Sequence, residues 1–164
     1  SVLPKGKFAA CANGYRMHYL DVGAGPVVVF LHGSGPGASG HSNFQGNYPY
    51  LVERGFRCIV VDHIGYGFSD KPADVEYPLA FFTECLRQTL AAAGVSNCSL
   101  VGNSLGGAIA LQFALDHSQM TERLVLMAPG GMPNSSANDT RMAGAVCTIT
   151  WRLGSAMASQ TRSV

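Results

Sequence analysis

The 164-residue sequence has little charge: Asp, Glu, Lys and Arg together make up 13%. Eleven basic residues face ten acidic ones, a formal net charge of +1. No field of one sign exists to attract nucleic acid or an anionic membrane surface. Long apolar runs are also missing. Val27 to Leu31 is typical, and it is far too short to cross a bilayer. Ser1 to Phe8 lacks an apolar stretch of the signal-peptide kind, so a cytoplasmic location is expected. Paired cysteines are lacking too. The five cysteines are Cys11, Cys58, Cys85, Cys98 and Cys147, an odd number with no C-x-x-C spacing. A disulfide framework or zinc site is not expected, and reduced thiols are. What the chain does have is 47% apolar residues, which excludes a disordered chain. It also has 20 glycines against eight prolines without a strict period, which excludes collagen and points to many tight turns.

The apolar residues are organised in short blocks. Phe8 to Cys11 and Tyr15 to Val22 flank Asn13-Gly14, a pair suited to a type I′ hairpin turn. Val27–Leu31, Phe56–Val61, Cys98–Val101 and Leu124–Met127 are apolar runs of the kind buried on both faces of a parallel sheet. Between them, helices are predicted near Tyr48 to Arg54, over Pro78 to Ala93 and over Leu105 to Asp116. Strands alternating with helices imply βαβ units, an α/β fold with a mostly parallel sheet covered on both faces. Beyond Met132 the pattern dissolves. Pro133 to Asp139 is polar, Met142 to Val164 has weak helical character, and no further buried strand is predicted.

Gly102-Asn103-Ser104-Leu105-Gly106 fits G-x-S-x-G, directly after a strand and directly before a helix. A serine there sits on a sharp turn above the carboxyl edge of the sheet. The following N–H opens a helix, where donors are free and the dipole favours an anion. Those are the requirements of an acyl-transfer nucleophile; the competing reading is a serine that caps the helix. His32-Gly33-Ser34-Gly35-Pro36-Gly37 follows the neighbouring strand and could supply a second donor to an oxyanion, or be an ordinary surface loop. Gly35 to Gly40 also matches G-x-G-x-x-G, with Asp62 closing the next strand, which is the outline of a dinucleotide-binding domain. Against it, Gly35 lies four residues past Leu31, and His41 to Asn47 separates the loop from the predicted helix.

The order of these features resembles the α/β-hydrolase family. The string His32 to Phe44, with Ser42-Asn43-Phe44, is similar to that of the meta-cleavage product hydrolases, as are Val101 to Gly107 and Ala128-Pro129-Gly130-Gly131. The likeness covers roughly residues 8 to 132. It departs at His63, where the family usually has proline, and at His41, where an aromatic residue is common. The resemblance implies Ser104 as nucleophile, an oxyanion hole from the backbone N–H groups of Ser34 and Leu105, and Asn43 and Asn103 as polar substrate-binding residues. It implies small-molecule substrates of the 2-hydroxy-6-oxo-hexa-2,4-dienoate type, whose C–C bond is hydrolysed. It implies no metal or organic cofactor.

The family order is Ser, then acid, then His. After Ser104 the acids are Asp116, Glu122 and Asp139, and the one histidine is His117. His117 lies about 18 Å along the predicted helix, at 1.5 Å per residue, and cannot serve Ser104. Residues 1–132 are therefore expected to form the N-terminal part of the hydrolase core, and 133–164 the start of a lid or an irregular tail. The triad acid and histidine, and the last strands, are expected to be missing. An exposed edge at Leu124 to Met127 would then favour association of copies, so a homo-oligomer is compatible with the sequence. Other readings are a carboxylesterase or other acyl hydrolase of the same fold, and a non-catalytic hydrolase module.

Overall fold

The computed structural model describes residues 3–11, 13–127, 146–150 and 161–162. A single eight-stranded sheet has the order β1-β2-β4-β3-β5-β6-β7-β8. The strands are β1 (Lys7–Ala10), β2 (Arg16–Val22), β3 (Val27–Leu31), β4 (Arg57–Val61), β5 (Cys98–Asn103), β6 (Thr121–Met127), β7 (Val146–Thr150) and β8 (Thr161–Arg162). The helices are α1 (Gly40–Phe44), α2 (Tyr48–Glu53), α3 (Leu79–Ala92) and α4 (Leu105–Asp116). The central run β4-β3-β5-β6 is parallel, and the outer strands pair antiparallel.

Alternation along the central strands fills two cores. Val29 and Leu31 of β3, Ile59 and Val61 of β4, and Leu124 and Leu126 of β6 face α3 and α4. There they meet Leu86, Leu90, Ile109 and Phe113, all fully buried. Val28 and Phe30, with Cys58 and Val60, face the other way onto Phe44 of α1 and Tyr48 of α2. Each fully buried side chain of this size contributes about 1.5–3 kcal/mol. Helices on both faces are what right-handed crossovers produce when the chain first steps from β3 to β4 and then crosses back to β5. The four central strands and three of the helices thus lie where the sequence pattern puts them.

Three expectations are corrected. The Asn13-Gly14 turn is not type I′: Gly14 has φ +79°, but Asn13 has no positive φ, and Gly14 N–H donates to Cys11 O. The hairpin is instead closed by a longer loop with glycine at the left-handed position. Next, α1 begins inside the glycine-rich loop, at Gly40. Its signal was Ser39-x-x-Ser42: each hydroxyl accepts from the other residue's backbone N–H, at 3.0 Å. Finally, β6 is not an open edge, since β7 pairs with it antiparallel and β8 pairs with β7. The weak helical reading of 142–164 overlooked this pairing, which is long-range. Ala128 to Gly131, and the polar stretch Pro133 to Asp139, lie outside the described residues.

Candidate functional site

β3 and β5 run side by side, Leu31 opposite Gly102. The chain leaves β3 for β4 on one flank and returns to β5 on the other, so the topological switch point falls between these two strands. In open α/β sheets the crevice at the carboxyl ends of such strands is where ligands bind. Here the crevice is bounded by the loop after Leu31 and the turn after Asn103.

Ser104 is that turn. Its backbone has φ 53° and ψ −114°, the one positive φ of a non-glycine residue among those described. Such a conformation costs about 1–3 kcal/mol and persists only where the surroundings impose it. The surroundings are crowded. A Cβ on Gly102 would lie 2.3 Å from the Gly106 carbonyl oxygen, and one on Gly106 would lie 2.0 Å from that of Leu31. Ser104 N–H donates to Met127 O at 2.9 Å, fastening the turn to β6. The side chain makes no capping bond to α4, so the helix-cap reading of this serine does not hold. Its hydroxyl has no partner among the described residues.

The loop after β3 packs on this turn. A Cβ at Gly33 would stand 3.4 Å from Ser104 Cβ. The side-chain oxygen of Asn43, on α1, accepts Gly33 N–H and Asn103 Nδ2–H, each at 3.0 Å. One amide oxygen therefore joins the His32 loop, α1 and the end of β5. The backbone N–H groups of Ser34 and Leu105 have no acceptor among the described residues. Leu105 N–H is the first of α4, where the helix leaves donors unsatisfied.

Two further residues lock the loop. His63 N–H donates to His32 Nε2 at 3.0 Å, so His32 carries its proton on Nδ1 and donates to Gly33 O at 2.6 Å. His63 Nε2–H donates back to His32 O at 2.9 Å. Burial pushes the His32 imidazole below its ordinary pKa, and burial together with the His32 ring pushes His63 down to about 3. Both rings are neutral and structural.

A family model described as the alpha/beta hydrolase fold matches residues 26–146. The chain belongs to that family. Among curated relatives, this hydrolase-fold chain is 40% identical over 123 residues to the 2-hydroxy-6-oxononadienedioate/2-hydroxy-6-oxononatrienedioate hydrolase of Comamonas testosteroni, covering 75% of this chain and 43% of the relative. It is 39% identical over 132 residues to the 2-hydroxy-6-oxo-6-phenylhexa-2,4-dienoate hydrolase of Burkholderia cepacia, covering 80% and 46%. The chain thus spans less than half the length of these relatives. Among solved structures, a meta-cleavage product hydrolase of Pseudomonas fluorescens IP01 superposes with TM-score 0.72 at 35% identity, over 77% of this chain and 46% of that one. An esterase of Exiguobacterium antarcticum superposes with TM-score 0.70 at 32% identity, over 76% and 46%.

Of the residues singled out in the sequence, the hydrolase fold brings Ser34, Asn43, Asn103, Ser104 and Leu105 to one end of the sheet. The five histidines lie elsewhere or are committed. His18 bonds Asp62 at 2.9 Å, His41 bonds the Tyr48 hydroxyl at 2.8 Å, and His32 and His63 bond each other's backbone. His117 is at the far end of α4, stacked near Phe113. Among the described residues no group of three or more His, Cys, Asp or Glu could hold a metal, and no helix is long and apolar enough to cross a membrane.

Asp62 was weighed only as the acid of a dinucleotide fingerprint. Its oxygens are occupied instead: Oδ1 accepts Gly40 N–H at 2.8 Å, and Oδ2 accepts Phe68 N–H at 3.0 Å and faces His18 Nδ1. Although α1 does begin at the loop, it has five residues, and its N-terminal donor already holds this carboxylate. Burial opposes ionisation of Asp62. The His18 bond, the two backbone donors and the His18 charge outweigh it and hold the carboxyl below its usual range. Asp62→Asn puts an NH2 group against a backbone donor. The expected cost is about 2–3 kcal/mol, measured as a lowered urea midpoint with unchanged m; an unchanged midpoint would rule out this hub.

Proposed function

We propose that this chain carries the nucleophile and oxyanion-binding part of a serine hydrolase. The reaction is hydrolysis of the C–C bond of 2-hydroxy-6-oxo-hexa-2,4-dienoate-type products of aromatic ring fission. The observation that carries the proposal is the Ser104 turn: a left-handed serine, uncapped, between a strand and a helix whose first N–H is free. The Ser104 hydroxyl attacks the C6 carbonyl of the ketonised substrate. The N–H groups of Ser34 and Leu105 receive the developing oxyanion, and a stabilised carbon leaving group departs. Asn43 and Asn103 present their remaining amide groups to the substrate while holding the loop to the turn. The names of the relatives support this substrate class.

A serine needs a base, and the base needs an orienting acid. None of the five histidines occupies that role in the described structure, so residues 1–164 are expected to turn over slowly by themselves. Loss of a base and its partner removes several orders of magnitude of rate.

The test is covalent. A fluorophosphonate probe at high concentration is expected to label Ser104 slowly, at a rate limited by the missing base, with the adduct found on the peptide containing it and absent from Ser104→Ala. Labelling at another serine, or equal labelling of the variant, would refute the assignment. A second reading, an ester hydrolase, is supported by the structural likeness to an esterase. Turnover of a dienoate ring-fission product against p-nitrophenyl acetate separates the two.

A further inference from the structure

The loop that follows β3 holds one of the two candidate oxyanion donors, the Ser34 N–H, and glycine flanks it at Gly33 and Gly35. Glycine imposes little steric preference, so the local sequence leaves the plane of the Gly33–Ser34 peptide free to turn over. Turned one way, it presents the Ser34 N–H to the crevice. Turned the other way, it presents the Gly33 carbonyl oxygen, which would repel a developing negative charge. Something outside the loop must choose between the two.

The hydrogen bonds around His32 make that choice. Both ends of the His32–Gly33 peptide are held. Its oxygen accepts His63 Nε2–H at 2.9 Å, and its N–H donates to Asn43 Oδ1 at 3.0 Å. The oxygen of the next peptide, Gly33 O, accepts His32 Nδ1–H at 2.6 Å. No peptide bond among the described residues is cis, and in a trans peptide C=O and N–H point in opposite directions. Gly33 O turned onto the His32 ring therefore turns the Ser34 N–H away from that ring. The neutral His32 ring donates from Nδ1 because its Nε2 accepts the N–H of His63, at 3.0 Å. His63 thus acts on the loop twice: its backbone sets the tautomer of His32, and its ring holds His32 O. Both histidines are fully buried, with ring centroids 4.2 Å apart, which shields these bonds from water.

We propose that His63 is a positioning residue: its imidazole, bonded to His32 O, keeps the Ser34 N–H directed at the oxyanion. This rests on the reading of the Ser34 N–H as an oxyanion donor and adds the group that keeps that donor facing the crevice. Buried behind the loop, His63 touches no substrate. The competing role for its ring is packing, since it stands edge-on to Tyr66 and Phe82. The two roles call for different substitutes. Phenylalanine keeps a ring and loses the donor; glutamine loses the ring and keeps an amide donor that can reach His32 O.

The measurement is the rate at which a fluorophosphonate at high concentration phosphonylates Ser104, read from the labelled peptide by mass spectrometry. The phosphoryl oxygen of the probe takes the place of the oxyanion, so the rate reports on the donors even where the base is missing. Loss of an oxyanion donor costs about 100-fold or more, and a misdirected one is expected to cost His63→Phe about tenfold at least. His63→Gln is expected to restore most of the rate. Equal rates in wild type and His63→Phe, or a loss in His63→Gln as large as in His63→Phe, would overturn the proposal and leave Ser104 as the nucleophile. Failure of the wild type to label at Ser104 would overturn the underlying reading, and the proposal with it. If His63→Phe does not fold, NMR of the imidazole nitrogens in the wild type decides. The expected tautomers are Nδ1–H in His32 and Nε2–H in His63. A His63 ring protonated on Nδ1 alone has no hydrogen to give His32 O, and the proposal would fall.

Discussion

Gly106→Ala is expected to leave little folded protein. The added methyl would sit 2.0 Å from the Leu31 carbonyl oxygen and 2.6 Å from that of His32. Both obstacles are backbone, one of them in the central strand, and neither can swing aside as a side chain tip would. Relief requires α4 to lift from β3, and α4 carries Ile109, Ala110 and Phe113, all fully buried. The expected loss exceeds about 4 kcal/mol, the range reserved for a few drastic mechanisms and comparable to the whole stability of a marginal domain. Gly46→Ala is the control. Nothing lies within 4 Å of its Cβ position and its φ is not positive, so the same methyl should be neutral there. Urea unfolding of both variants checks this. Equal midpoints would mean that the strand-turn-helix packing around Ser104 is not as described, and the oxyanion geometry would go with it.

Acid should destabilise the chain well above the range where carboxylates protonate. His63 is fully buried and neutral, its pKa pushed from 6.5 to about 3 by burial first and by the His32 ring second. The unfolded chain takes up a proton at this residue near pH 6.5 while the folded chain does not. Stability from this group is therefore complete above pH 6.5 and falls with pH down to about 3. The slope is about 1.4 kcal/mol for each pH unit below the unfolded pKa. His32, shifted in the same direction by burial, adds to it. Thermal melts between pH 7 and pH 4.5 should show a steady decline in Tm. His63→Gln retains the backbone donor to His32 and an amide that can reach His32 O, so it should flatten the decline while costing little at pH 7. A Tm independent of pH over this interval, or one equally steep in His63→Gln, would show that these rings are not buried as found.

These two effects differ in how visible they were beforehand. The need for small residues beside Ser104 was legible, because a serine between a strand and a helix leaves no room for side chains at Gly102 and Gly106. The role of His63 was not. It registered as a departure from a usual proline, and only the return of its ring to His32 O explains what a histidine does there. The role of Asp62 was not legible for a similar reason. Its partners His18, Gly40 and Phe68 come from β2, α1 and a loop, and no local spacing announces them. Asn43 and Asn103 were both picked out, yet their hydrogen bond to each other spans 60 positions of the chain.

By itself the sequence determined the alternation of buried strands and helices, the crossover logic of a parallel sheet, and Ser104 on its turn. These rest on local periodicity and on backbone freedom, which a few neighbouring residues settle. Only the tertiary structure decided the pairing of β7 onto β6, the short capped helix that delivers Asn43, and the commitment of four histidines and Asp62 to bonds of their own. Those depend on which distant segments are brought within about 3 Å, and a linear pattern does not encode such distances.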